Sequence, residues 1–288
     1  MDFLQTLASG KTLLFDGAMG SLLTQKGVDT GANNNITASQ KVAEVHREYI
    51  ESGSDCIITN TLTLNSIYAS KRGLSDNDCA EANRAAARVA LAAADGKAFV
   101  FGDLGSTGEM LKPYGTGDKE QFYHAYCHQA AALAENKIDG FIIETVFDIE
   151  EAKIMLQACR DTSNLPVILS MTFATAAKGG RTIMGNRAAE IAQVAAAGGA
   201  IAVGANCGDL APEEFVPVIK EMLPAGLPII IQPNAGKPRL ENGITCYDLT
   251  TQEFAQGLLE CHKAGAQLLG GCCGTTPQHI AAIKQLLA

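Results

Sequence analysis

Three of the nine cysteines stand where chemistry is possible. Cys207 lies in Asn206-Cys207-Gly208, while Cys272 and Cys273 lie in Gly270-Gly271-Cys272-Cys273-Gly274. Flanking glycines leave a sulfur accessible and let the backbone turn sharply. Three thiolates suit a borderline-soft ion such as Zn2+, and a tetrahedral ion with three protein ligands keeps one position open for reaction. Two other readings stay open at this point: buried structural cysteines, or a strained vicinal pair at Cys272-Cys273. No CxxC knuckle decides between them. Cys56, Cys79, Cys127, Cys159, Cys246 and Cys261 sit singly in apolar or helical surroundings and read as small buried hydrophobes. The histidines His46, His124, His128, His262 and His279 all fall in helical stretches. His124 and His128 share a helix face, but no third ligand accompanies them, so packing or surface roles are expected. No GxxxxGK[ST] or GxGxxG motif stands between a strand and a helix, and Gly115–Gly117 reads as loop.

The elements that position these residues alternate. Short β-rich runs occupy Thr12–Asp16, Asp55–Asn60, Ala98–Asp103, Asp139–Glu144, Val167–Thr172, Ala200–Asn206, Pro228–Gln232 and Gln267–Gly270. Between them lie amphipathic stretches over Thr37–Ser52, Asp76–Ala94, Asp118–Asn136, Asp148–Asp161, Arg187–Ala197, Pro212–Leu223, Thr250–Ala264 and Pro277–Leu287. Thr276-Pro277 supplies a cap and a first-turn proline. Eight strands alternating with eight helices is the count of a (β/α)8 TIM-type barrel, although a doubly wound open sheet has the same rhythm. In a barrel the strand ends converge on one rim, where such folds place their active sites. Those ends carry Asp16, Thr59-Asn60, Asp103, Glu144-Thr145, Ser170 and Thr172, Asn206-Cys207, Gln232 and Asn234, and Gly271-Cys272-Cys273. The segment Gly27–Asn35 reads as a polar loop, and no interdomain linker is visible, so one domain over 1–288 is expected.

The chain has 288 residues, 47% hydrophobic and 18% charged, with a formal net charge of −9. That composition buries a substantial core and excludes bulk disorder. The acidic balance argues against nucleic acid or an anionic membrane surface as partner. No apolar run reaches the ~20 residues a bilayer span needs, and Met1–Gly10 lacks the marks of a secretory signal. A cytoplasmic enzyme with free thiols is the expectation.

At this point the motifs acquire a likeness. Asp16-Gly17-Ala18-Met19-Gly20, Thr59-Asn60-Thr61, Glu144-Thr145, Asn206-Cys207-Gly208, Pro233-Asn234-Ala235-Gly236 and Gly270-Gly271-Cys272-Cys273-Gly274-Thr275 occur in order. Together they resemble the homocysteine S-methyltransferase family, from about Thr12 to Leu287. Ser170-Met171-Thr172-Phe173, Gly180-Arg181-Thr182 and Thr275-Thr276-Pro277-Gln278-His279-Ile280 resemble most the homocysteine-binding module of its cobalamin-dependent members. Two positions depart from the usual pattern: Asn60-Thr61-Leu62 stands where Asn-Thr-Phe is frequent, and Gly105-Ser106-Thr107 where Gly-Pro-Thr is. Both lie on the rim and bear on the identity of the methyl donor.

The resemblance implies a barrel, a catalytic Zn2+ on Cys207, Cys272 and Cys273, and methyl transfer to homocysteine giving methionine. It places the substrate ammonium on Asp16 and Glu144. N–H groups of the turn Gly17–Ser21 are available for the α-carboxylate, and the Asn234 side-chain oxygen is a candidate fourth ligand without substrate. The expected donor is methylcobalamin on a separate corrinoid protein, because no histidine here follows an Asp by two positions, as a base-off corrinoid motif requires. Betaine, S-methylmethionine and S-adenosylmethionine remain alternative donors, and another thiol remains an alternative acceptor. A non-catalytic zinc-binding barrel would show a closed site. An aldolase-like barrel would need a lysine at a strand end, and none of the eight ends carries one.

Overall fold

The computed structural model describes residues 1–28, 33–237, 239–241 and 244–288. Its strands are β1 (Leu13–Leu14), β2 (Cys56–Ile58), β3 (Phe99–Leu104), β4 (Gly140–Val146), β5 (Val167–Met171), β6 (Ala202–Asn206), β7 (Ile229–Gln232), β8 (Arg239–Glu241), β9 (Ile244–Cys246) and β10 (Ala266–Leu269). Eight of them form one parallel sheet in the order β1-β10-β7-β6-β5-β4-β3-β2. A parallel bridge between Phe15 and Cys56 brings β1 back against β2. Helices fill the crossovers, so the architecture is the expected (β/α)8 barrel and not an open doubly wound sheet.

The predicted helices form with small shifts of boundary. Asp76–Ala94 and Pro277–Leu287 match the expected spans. The first of these starts on a Ser75/Asp78 capping box and stops at Asp95, which turns left-handed at φ 48°. The stretch over Pro212–Leu223 splits into a 3-10 turn at Pro212–Phe215 and an α-helix at Val216–Met222. Within Gly27–Asn35, read as loop, a short helix Asn34–Thr37 begins, and residues 29–32 lie outside the described part. The antiparallel hairpin β8–β9 and the N-terminal helix Phe3–Ala8 have no counterpart in the sequence reading. No helix of the described residues is long and apolar enough to cross a membrane.

Two apolar layers hold the barrel. The larger lies between sheet and helices. The smaller fills the interior: Phe15, Ile58, Phe101, Ile142, Ile168 and Ile230 meet there, with Phe3 and Leu7 of the N-terminal helix joining them. Phe3 stands edge-on to Phe99 and Phe101, with ring centroids 5.4 and 4.7 Å away. That helix therefore plugs the N-terminal end of the barrel. Strand side chains alternate, so moving two residues toward the C-terminal ends keeps the inward face. Phe101 then gives way to Asp103, Ile142 to Glu144, Ile168 to Ser170, Ala202 to Gly204 and Asn206, and Ile230 to Gln232. The interior is apolar at the bottom and polar at the top, and the polar end is the rim.

Candidate metal and substrate site

Cys207, Cys272 and Cys273 arrive together. Their sulfurs all lie within 4.8 Å of one another, and Cys207 Sγ is 3.9 Å from Cys273 Sγ. Zn–S bonds of about 2.3 Å at tetrahedral angles place ligand sulfurs about 3.8 Å apart, so the Cys207–Cys273 separation suits two ligands of one zinc ion. No other group of three potential ligands converges among the described residues, and Cys207, Cys272 and Cys273 are free thiols. The six single cysteines lie outside this triad, as expected. His124 and His128 are exposed, and His46 and His279 are buried.

The backbone fixes each sulfur. Cys207 turns left-handed at φ 56° directly after β6, and its N–H donates to Gln232 O at 3.1 Å. Cys272 N–H donates to Pro233 O at 2.8 Å, and Ala235 N–H donates to Cys273 O at 2.9 Å. The Thr275 hydroxyl donates to Cys272 O at 2.7 Å and accepts from Ala18 N–H at 3.1 Å, which ties the cysteine loop to the turn after β1. Gly17 is required there, because a Cβ would run into the Thr275 hydroxyl. Hydrogen bonds from Cys207 and Cys272 hold the Cys273 thiol far below the usual range, while hydrogen bonding with Cys207 and Cys273 pushes Cys272 up. Three converging sulfurs of this kind could hold a soft cation.

Three residues hold roles that the sequence reading did not assign. Asn206 joins three strand ends. Its Oδ1 accepts from Thr145 N–H at 3.0 Å and from the Ser170 hydroxyl at 2.8 Å. Its Nδ2 donates to Thr145 Oγ1 at 2.8 Å and faces Cys272 Sγ at 3.9 Å. This grip holds Thr145 at φ 58°, a costly conformation for a β-branched residue, directly beside Glu144. Tyr247, delivered by the β8–β9 hairpin, packs its ring on Gly274 and shares a hydrogen bond with the Cys273 sulfur. Glu151, on the helix Ile149–Thr162, clamps the loop after β3. Its Oε1 accepts from Thr107 N–H at 3.0 Å, Tyr126 hydroxyl at 2.7 Å and Ser106 hydroxyl at 3.1 Å. Tyrosine and glutamate in loops and helices carry no motif that would single them out. Asn206 is legible only through its place beside Cys207.

The predicted substrate residues line the same mouth. Asp16 is buried and its Oδ2 accepts from Ile58 N–H at 3.0 Å. Burial drives its carboxyl up, against that hydrogen bond, and the Glu144 charge adds to the rise. Glu144 is pushed up to about 7 by burial and then by Cys273. Asn234 Nδ2 donates to Gly208 O at 2.8 Å, while its Oδ1 is buried and accepts nothing. Ala18 N–H is committed to Thr275, which leaves Gly17 N–H and the first-turn N–H groups of the helix Met19–Gln25 as donors in this turn.

The eight-stranded parallel barrel thus carries on its C-terminal rim a thiol triad that could hold a metal ion, with buried carboxyls beside it. The family of such barrels is set by comparison: the profile of the homocysteine S-methyltransferase family matches residues 13–287, and the chain belongs to that family. The methionine synthase of Mycobacterium leprae (strain TN) is 29% identical over 314 residues, covering 100% of this chain and 25% of that protein. The chain thus spans about a quarter of that relative's length. The metallated form of the homocysteine methyltransferase MmuM from Escherichia coli superposes with TM-score 0.83 at 22% identity, covering 98% of each chain. Its oxidized form gives TM-score 0.82 at 22% identity, covering 98% of this chain and 99% of that one. These two structures share the fold.

Proposed function

We propose that this chain, as one homocysteine-binding domain over 1–288, methylates the thiol of homocysteine to give methionine in the cytoplasm. Cys207, Cys272 and Cys273 would hold Zn2+. The observation that carries this reading is the convergence of three free sulfurs within 4.8 Å of one another, beside buried carboxyls that have no cationic partner among the described residues. Zinc on three thiolates supplies a Lewis acid that keeps an added alkyl sulfur deprotonated at neutral pH while leaving it electron-rich.

The residues divide the substrate between them. Asp16 and Glu144 accept the ammonium, and the N–H groups of the turn at Gly17 and the first turn of Met19–Gln25 receive the α-carboxylate. This fixes the thiol end toward the cysteines. The thiol proton leaves to solvent, the sulfur lone pair forms the S–CH3 bond, and the bond from methyl to donor breaks with its electron pair remaining on the donor. Asn234 would be the fourth ligand between turnovers, which its unpaired buried Oδ1 supports. The donor we favour is methylcobalamin carried by a corrinoid protein. The support is the cobalamin-branch resemblance of Ser170–Phe173 and Thr275–Ile280, together with the higher identity to a methionine synthase.

The test is zinc content with methyl transfer from free methylcobalamin to homocysteine, in wild type and Cys207→Ser. About one zinc per chain with methionine formation, both lost in the variant, is the expected result. Full zinc and full activity in Cys207→Ser would remove the assignment. Zinc without turnover would replace the donor by betaine or a sulfonium compound.

A further inference from the structure

We infer that Asp103 is a specificity-determining residue that supplies a third acceptor to the substrate's ammonium group. This rests on the homocysteine reading and extends its binding site by a residue the family resemblance did not mark.

Asp103 lies near the end of β3, two residues above Phe101 on the inward face. It is 4% exposed, and its Oδ1 is buried without a hydrogen-bond partner. Its backbone, in contrast, is held from several sides. The N–H donates to Thr59 Oγ1 at 3.0 Å, and the carbonyl accepts from Thr61 Oγ1 at 2.8 Å and Gln129 Nε2 at 3.2 Å. Gln129 is itself buried, 1% exposed. The fold therefore spends buried polar contacts on holding a carboxyl whose own oxygen is left unsatisfied. An unpaired buried acceptor is costly, and it persists where a ligand completes it.

The chemistry of that ligand follows from the neighbours. Asp103 feels the charges of both Glu144 and Asp16, which with burial raise its carboxyl well above the ordinary range. None of the three acids forms an ion pair with a lysine, arginine or histidine among the described residues. Their oxygens do not close to metal-ligating spacing either, since only the cysteine triad does so. What is missing is a cation larger than a bare metal ion, with several N–H donors. A primary ammonium has three such donors and meets three carboxyls here. A thiol substrate without an amine leaves all three acids unpaired.

The experiment compares homocysteine with 4-mercaptobutanoate, which keeps the thiol and the carboxylate but lacks the amine. Binding of each to the zinc-loaded protein is measured by calorimetry in wild type and Asp103→Asn, with melting temperature as a check on folding. The expected result is an affinity for homocysteine about tenfold to a hundredfold weaker in the variant, the effect of one charge-assisted hydrogen bond. Binding of 4-mercaptobutanoate stays unchanged or tightens. Asp103→Ser, smaller and neutral, should lose the discrimination in the same direction, and it serves if the Asn variant folds poorly. Equal weakening of both thiols would make Asp103 structural, and unchanged discrimination would remove it from the site; either overturns the inference. Wild-type protein that binds neither thiol would overturn the homocysteine reading itself.

Discussion

Removing the Glu151 carboxylate should cost far more than neutralising it. Glu151 is 1% exposed, and both Tyr126 and Thr107, which donate to it, are fully buried. In Glu151→Ala the Tyr126 hydroxyl and the Thr107 N–H lose their acceptor inside the protein. Each buried, unpaired donor costs about 1–3 kcal/mol, so the pair should cost about 4 kcal/mol, before any cavity contribution. Ser106 is only half-buried and can turn to water. In Glu151→Gln the amide oxygen can take the Oε1 position and keep both buried donors satisfied. Its NH2 then meets the Ser106 hydroxyl, which accepts as well as donates. The cost should fall to about 1 kcal/mol. Urea unfolding at neutral pH reads both values, with unchanged m-values showing that the unfolded states are comparable. If Gln proves as damaging as Ala, charge rather than hydrogen bonding holds the loop. A cost below about 1 kcal/mol for Ala would show that the clamp contributes nothing of note.

Three further outcomes follow from the same geometry. His46 is fully buried, neither ring nitrogen has a partner, and burial lowers its pKa from 6.5 to about 4. The unfolded chain binds this proton first, so the contribution is present above pH 6.5 and is lost as pH falls toward 4. At about 1.4 kcal/mol per unit, wild type should lose about 3 kcal/mol more than His46→Leu across that window, and parallel pH curves would contradict this. Phe3→Ala should cost about 3–5 kcal/mol by opening the plug beneath Phe99 and Phe101, measured by chemical unfolding; an unchanged midpoint would mean that the N-terminal helix is dispensable. Asn206→Ala frees Thr145 and strips Cys272 of its polar neighbour, and zinc affinity measured by chelator competition should fall about tenfold or more; unchanged affinity would refute that supporting role.

The sequence carried much of this, unevenly. The strands were legible because runs such as Ile229-Ile230-Ile231 are buried on both faces and bounded by turn residues. Closure was not, because the strand rhythm is the same in open and closed sheets; it comes from the bridge between Phe15 and Cys56 and from bonds such as Asp55 N–H to Leu14 O at 2.7 Å. The cysteine triad was visible as three sulfurs with glycine neighbours, yet its geometry depends on the positive φ of Cys207 and on backbone bonds from β7 and the loop after it. The N-terminal helix was missed because six residues give less than two turns of periodicity, and the hairpin because three-residue strands show no alternation. Glu151 and Gln129 fall inside helical stretches with nothing to single them out, since the groups they hold lie far along the chain.

The central claim is a zinc centre with three cysteine sulfurs and one position that takes the substrate sulfur. Zinc-edge X-ray absorption on the zinc-loaded protein, before and after homocysteine, tests it most directly. The account predicts three sulfur neighbours at about 2.3 Å and one lighter ligand in the free protein, and a fourth sulfur when homocysteine is added. A sulfur count that does not change on adding homocysteine would contradict it.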